Sequence, residues 1–289
     1  MANPVFQRAE AFQPRAQQYP YPGHGYPTQP AGQTWGYPQA GQAWGSDAAV
    51  AAAQTDPRIM GQAAQRPMTF DDVIARTGIV LLLIAAVGAA TFMAVGSSPA
   101  LMGAALVLSS IVGFITVLVV STRRTVPAAG VLAYGFIEGI FIGALSGLFE
   151  AMYPGIVVQA VLGTFAAAGV TLAAYKFFNI QVTPRFRQIV LISTFGFAAV
   201  MLLNLVLALF GVDLGLRSVG GGISIIAILA SAVGVVLAAM NLVVDFDAAE
   251  QGVRNQAPAS ESWRAAFGIA VTMVWLYTEI LRIASYFRN

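Results

Sequence analysis

The stretch GIVLLLIAAVGAATFMAV, residues 78–95, runs for eighteen positions without a charged side chain or a proline. At a helical rise of about 1.5 Å per residue such a run comes close to the thickness of a bilayer's hydrocarbon core, so it reads as a membrane-crossing helix. The apolar residues are continuous and do not alternate with polar ones, which argues against a barrel strand. A helix also satisfies its own backbone groups where no water is available.

Outward from this stretch the pattern repeats, with polar punctuation between apolar runs. Spans are expected at about 76–95, 100–121, 127–149, 155–176, 188–210, 221–245 and 265–285. Pro99, Pro127, Pro154, Pro184 and Pro258 all fall at span edges or in connections, where a missing N–H does least harm. The expected fold class is an all-α integral membrane protein, a seven-transmembrane-helix bundle. Composition agrees: 57% hydrophobic and 10% charged residues, with a mean hydropathy of +0.72, are far from the roughly 25% charged residues of an ordinary soluble domain and leave too few charges to clothe a soluble surface.

The amino-terminal part is of another kind. The first 67 residues hold nine of the fourteen prolines, with Tyr19, Tyr21, Tyr26 and Tyr37 among many Gly and Gln residues. Residues 31–36 (AGQTWG) recur as residues 40–45 (AGQAWG), a pair too short for a solenoid. Such a composition cannot bury enough apolar surface to fold. Residues 1–66 are therefore expected to be a disordered cytoplasmic tail, and residues 67–289 the membrane domain. No charged-then-apolar signal opens the chain, so the first span is expected to direct insertion itself.

Charge sets the orientation. With the tail inside, Arg66, Arg76, Arg123, Arg124, Lys176, Arg185, Arg187, Arg254 and Arg264 lie on the cytoplasmic side, and only Arg217 and Arg288 lie outside. That bias places the amino end in the cytoplasm and, after seven spans, the carboxyl end outside. The net charge of +2 and the isoelectric point near 9.0 come from these scattered residues and not from a basic stripe. The expected partner is thus the lipid bilayer and not nucleic acid. Gly139, Gly143 and Gly147, spaced by four, are expected to let helices approach closely within the bundle.

Several chemistries are excluded. Cysteine is absent, which removes disulfides, thiolate metal sites and thiol nucleophiles. The only histidine, His24, is in the tail, so a serine–histidine intramembrane protease has no base. Lys176, the only lysine, ends the fourth span, which rules out a Schiff base on the last helix, and no G-x-x-x-x-G-K-[ST] loop is present. The halves show no convincing repeat, which weakens a secondary-transporter reading. Neither an enzyme nor a cofactor is expected.

Ionisable residues within spans are costly, and each is a functional candidate. Glu138 sits eleven residues into the third span, roughly 16 Å deep, and Glu279 lies deep in the seventh. Asp245 and Asp247 stand at the inner end of the sixth. Arg282 follows Glu279 by three positions, a spacing that suits a local ion pair. A structural reading stands beside each candidate: that ion pair for Glu279, a protonated acid bonded to a backbone carbonyl for Glu138, a solvated helix end for Asp245. Counted from Ala265, Glu279 lies roughly 21 Å in, whereas Asp245 is near the inner surface. The two meet only if the sixth helix runs past Asp245 or the seventh begins late; otherwise Glu138 is the nearer partner. Carboxylates are hard oxygen ligands, suited to Ca²⁺ or to protons.

Four stretches, residues 69–78 (TFDDVIARTG), 134–143 (YGFIEGIFIG), 245–252 (DFDAAEQG) and 276–282 (LYTEILR), with the opening residues 3–6 (NPVF), carry a likeness. They resemble the Bax inhibitor-1/YccA-like family, also called the transmembrane Bax inhibitor motif family, in its bacterial branch with an extended tail. The resemblance covers about residues 69–289. It implies six helices around a central seventh and a pH-sensitive, passive Ca²⁺ leak in the bacterial plasma membrane, with Ca²⁺ as permeant ion. Within it Asp245 and Glu279 would share a proton and line the ion path, Glu279 standing where most members carry aspartate. Arg123 or Arg124 would pair with the two acids when the path is closed. Two carboxyl groups in contact cannot both ionise cheaply, so such a pair exchanges protons as a unit, and an arginine binds only its ionised form. From a different class, some YccA-like relatives suggest a non-conducting regulator of a membrane protease or quality-control complex.

Overall fold

The computed structural model describes residues 66–95, 98–178, 180–212, 214–217 and 225–288; residues 1–65 of the expected tail and the glycines at 220–222 lie outside them. The described residues form seven long helices: α1 (Phe70–Val95), α2 (Pro99–Thr122), α3 (Ala128–Met152), α4 (Ile156–Phe177), α5 (Pro184–Leu209), α6 (Ile225–Arg254) and α7 (Ser262–Tyr286). All seven are long and apolar enough to cross a membrane. The chain is an all-α, seven-helix membrane bundle.

Local chemistry explains where the helices begin. The Thr69 N–H donates to Asp72 Oδ2 (3.0 Å) and the Asp72 N–H to Thr69 Oγ1 (3.3 Å), a reciprocal cap that starts α1 six residues before position 76. Thr183 Oγ1 accepts from the Phe186 N–H (3.2 Å), with Pro184 at the first helical position of α5. Between α3 and α4, Gly155 takes a left-handed conformation (φ 83°), and the Glu150 carboxylate accepts from the N–H groups of Gly155 (2.5 Å) and Val157 (3.2 Å).

Helix α7 is the centre. Of its most apolar stretch 67% is buried, against 11–39% for the others, and it packs against α1, α3, α4 and α6. α2 leans mainly on α3 and α5 on α6. The closest seam joins α1 to α3: a Cβ on Gly139 would fall 2.6 Å from the Val87 Cβ, and one on Gly143 would collide with the Gly88 carbonyl oxygen. The glycine spacing thus serves packing within the bundle. Leu82, Phe114, Leu162 and Phe195 project outward, as a surface wetted by lipid tails allows.

One boundary differs from the sequence expectation with a consequence for the site. α6 continues to Arg254, nine residues past Asp245. Its polar end is bound by neighbours instead of being solvated: Arg187 pairs with Asp247, and the Tyr175 hydroxyl donates to Glu250 Oε2 (2.6 Å). Several bonds gather the adjacent segments at this basic end. Met68 N–H donates to Ala257 O (2.7 Å) and Arg76 Nη1 to Ala259 O (2.5 Å). The fully buried Arg264 bonds Glu261 Oε2 (2.7 Å) through Nε and the carbonyls of Arg123 and Arg124 through Nη2.

Candidate functional site

α7 arranges buried acids at two levels. At the first, Asp245 of α6 is 0% exposed, and Thr272 Oγ1 of α7 donates to its Oδ2 at 2.6 Å. Buried Leu242, Val244, Ala248 and Ala249 lie around it in the same helix. At the second, Glu279 of α7 is 1% exposed, and its Oε1 accepts from Arg217 Nη2 (2.8 Å) and from Trp275 Nε1 (3.4 Å). Its other oxygen, Oε2, has no hydrogen-bond partner. The carboxyl group fits against α6 because position 234 is glycine: a Cβ there would stand 2.8 Å from Glu279 Cδ.

Glu279 lines a cavity of about 530 Å³ between α2, α3, α5 and α7. Glu138, Arg217 and Arg282 share its wall with Tyr134, Trp275 and Thr278. A second cavity of about 330 Å³, between α1, α3, α4 and α7, is lined almost wholly by apolar side chains. Its polar feature is the bond between Ser146 Oγ and the Tyr277 hydroxyl (2.7 Å). The chemistry therefore concentrates in the first cavity.

The structure sorts the residues singled out from sequence. Asp245 on α6 and Glu279 on α7 both lie at the α6–α7 contact, but at different levels, and they do not touch. Thr272, which holds Asp245, precedes Glu279 by seven residues, two turns or about 10 Å of helix. Glu138 and Glu279 are brought to one cavity. Arg282 also reaches that cavity, yet Glu279 pairs with Arg217 instead, and the buried Arg282 Nε has no hydrogen-bond partner. The side chains of Arg123 and Arg124 are exposed; their backbone carbonyls are what Arg264 holds. Among the described residues no three His, Asp or Glu side chains are grouped to hold a metal ion.

Arg217 is the residue that sequence reasoning passed over. It stands in the connection between α5 and α6 and reads as a flanking charge, but its side chain turns into the bundle. Its Nε lies 3.0 Å from Met201 Sδ and its guanidinium 5.8 Å from the Phe197 ring centre. Thr272 was legible in principle, because seven residues return a helix to nearly the same face.

No curated protein matches the chain. A family model described as Bax inhibitor 1 like matches residues 3–289, with the four motif stretches and both acid levels inside the match. The chain belongs to the Bax inhibitor 1 like family.

Proposed function

We propose that this protein is a passive, proton-sensitive leak for cations, Ca²⁺ foremost, in the bacterial plasma membrane, with its basic end at the cytoplasm and no enzymatic step. The observation that carries this reading is the Glu279 carboxyl group: buried in a spanning helix, with one oxygen unpartnered, on the wall of a cavity it shares with Glu138. A carboxylate at that depth is expensive unless it is used, and its oxygens suit Ca²⁺ or a proton. Asp245 is the next acid along the α6–α7 contact toward the basic end. The two acids then act as successive stations on one side of α7, and protonation of either removes negative charge from the same path. The inward arginine of the closed state is Arg217 in this reading, since Arg123 and Arg124 turn their side chains to solvent.

The test is Ca²⁺ flux into liposomes holding the purified protein, beside Asp245→Asn and Glu279→Gln. Loss of flux in Glu279→Gln supports the leak; equal flux in all three proteins removes it. The paired tryptophans Trp35 and Trp44 in the repeated AGQ-x-WG segment support a second reading, a non-conducting regulator docking on a membrane protease or quality-control complex. Deleting residues 1–66 would then abolish recovery of the partner, whereas a leak keeps its flux.

A further inference from the structure

We infer that the apolar cavity between α1, α3, α4 and α7 is a binding groove for one membrane phospholipid, whose acyl chain lies along α1 and whose phosphate meets Arg288. The site is separate from the Glu279 cavity and does not depend on a leak. Four observations carry it.

The first is shape. The cavity follows α1 from Leu81 to Phe92, about 16 Å of helix, but touches α3 and α7 over a single turn each. Its volume of about 330 Å³ spread over that length gives a cross-section of about 20 Å², the girth of one extended hydrocarbon chain. The second is access. α1 and α4 barely touch, so the groove opens sideways between them. Its rim is made by Ala85 and Ala89 of α1 and by Val161 and Phe165 of α4, all exposed on the surface that faces lipid tails. Toward the basic end it stops at Leu81, where Leu81 and Ala168 both pack onto the cluster that holds Met273.

The third is what the lining can hold. Ser146 Oγ and the Tyr277 hydroxyl bond one another (2.7 Å), and Thr164 Oγ1 donates to Ala160 O (2.7 Å). These bonds leave few polar partners for a water, which needs about two to four. An empty groove forfeits the dispersion contacts of its walls. In a bilayer the fluid at the open side is hydrocarbon, and a chain that enters restores those contacts.

The fourth is the mouth. Val157 of the groove lining is the second residue of α4, at the end of the bundle away from the basic end. Arg288 stands there: its guanidinium lies within about 4 Å of where a Gly155 Cβ would be, and it donates to the Pro154 carbonyl. Glu150, the neighbouring acid, is engaged by the N–H groups of Gly155 and Val157. The Arg288 side chain is exposed, and its planar fork of donors suits a phosphate. A lipid whose chain fills the groove carries its headgroup to this end.

Native mass spectrometry of the full-length protein, stripped of lipid in detergent, reads the binding of added phosphatidylglycerol and of diacylglycerol with the same chains. Wild type is expected to take up one phosphatidylglycerol per chain, about fivefold more tightly than diacylglycerol, the factor for a favourable exposed ion pair. Ala89→Phe, which fills the groove from its exposed rim, is expected to weaken both lipids about tenfold or more. Ala85→Leu replaces it if that variant does not fold. Ala86→Phe, the same change at an exposed position outside the groove, matches wild type. Arg288→Gln brings phosphatidylglycerol down to the level of diacylglycerol and leaves diacylglycerol unmoved. Wild-type affinity in a folded groove-filling variant overturns the proposal, as does an equal loss in Ala86→Phe. Equal binding of the two lipids by wild type overturns the assignment of a phospholipid.

Discussion

Asp245 and Glu279 are both buried carboxyl groups at the α6–α7 contact, and their surroundings are opposite in kind. Asp245 takes a hydroxyl bond from Thr272 at the end where Arg264, Arg76 and Met68 tie the segments together. It lines neither of the two cavities described above. Glu279 borders a cavity, keeps one oxygen open and is held by a residue from a connecting segment. Burial alone therefore does not distinguish the two acids. What separates the two levels is that Glu279 borders a cavity and is held by a partly exposed arginine, whereas Asp245 lines neither cavity.

That contrast can be broken by substitution. At the closed end, Arg264→Ala strands the Glu261 carboxylate and two carbonyl groups around a vacated buried site. It is expected to cost about 3–5 kcal/mol, read as a large drop in thermal midpoint in detergent. Thr272→Val removes a donor to Asp245 and is expected to cost about 2 kcal/mol in the same assay, since the bond goes to a buried carboxyl group. Glu279→Gln keeps the side-chain size and frees a partly exposed arginine that can turn to water. Its stability cost should be about 1 kcal/mol, while Ca²⁺ flux is lost. Arg123→Gln together with Arg124→Gln should leave both midpoint and flux at wild-type values, because those side chains are solvated. A reversal of the second and third results, with Glu279 the more structural residue, would erase the distinction between the levels.

The seven spans could be read from sequence because lipid imposes a simple rule: long uncharged runs, with prolines confined to their edges, leave little choice of fold. The course of α6 beyond Asp245 was less visible. Asp247 and Glu250 look like a solvated helix end until Arg187 and Tyr175 are seen to bind them. The partner of Glu279 was hidden for a different reason. Helical spacing offered Arg282, three residues away, whereas the observed bond reaches Arg217, 62 positions distant in the chain. An arginine near a span end fits a headgroup and an inward turn equally well, and only the tertiary arrangement chooses. Glu138 and Glu279 share the cavity for the same tertiary reason, since no local pattern relates α3 to α7.

The glycine at position 234 also has a mechanical meaning. It cuts a notch in α6 that the Glu279 carboxyl group fills. One turn along α6 in either direction stands an alanine, Ala230 or Ala238, whose methyl group has no such notch. Sliding α7 against α6 by a turn would drive the carboxyl group onto one of these methyls, so the notch works as a detent that indexes the central helix to one axial position.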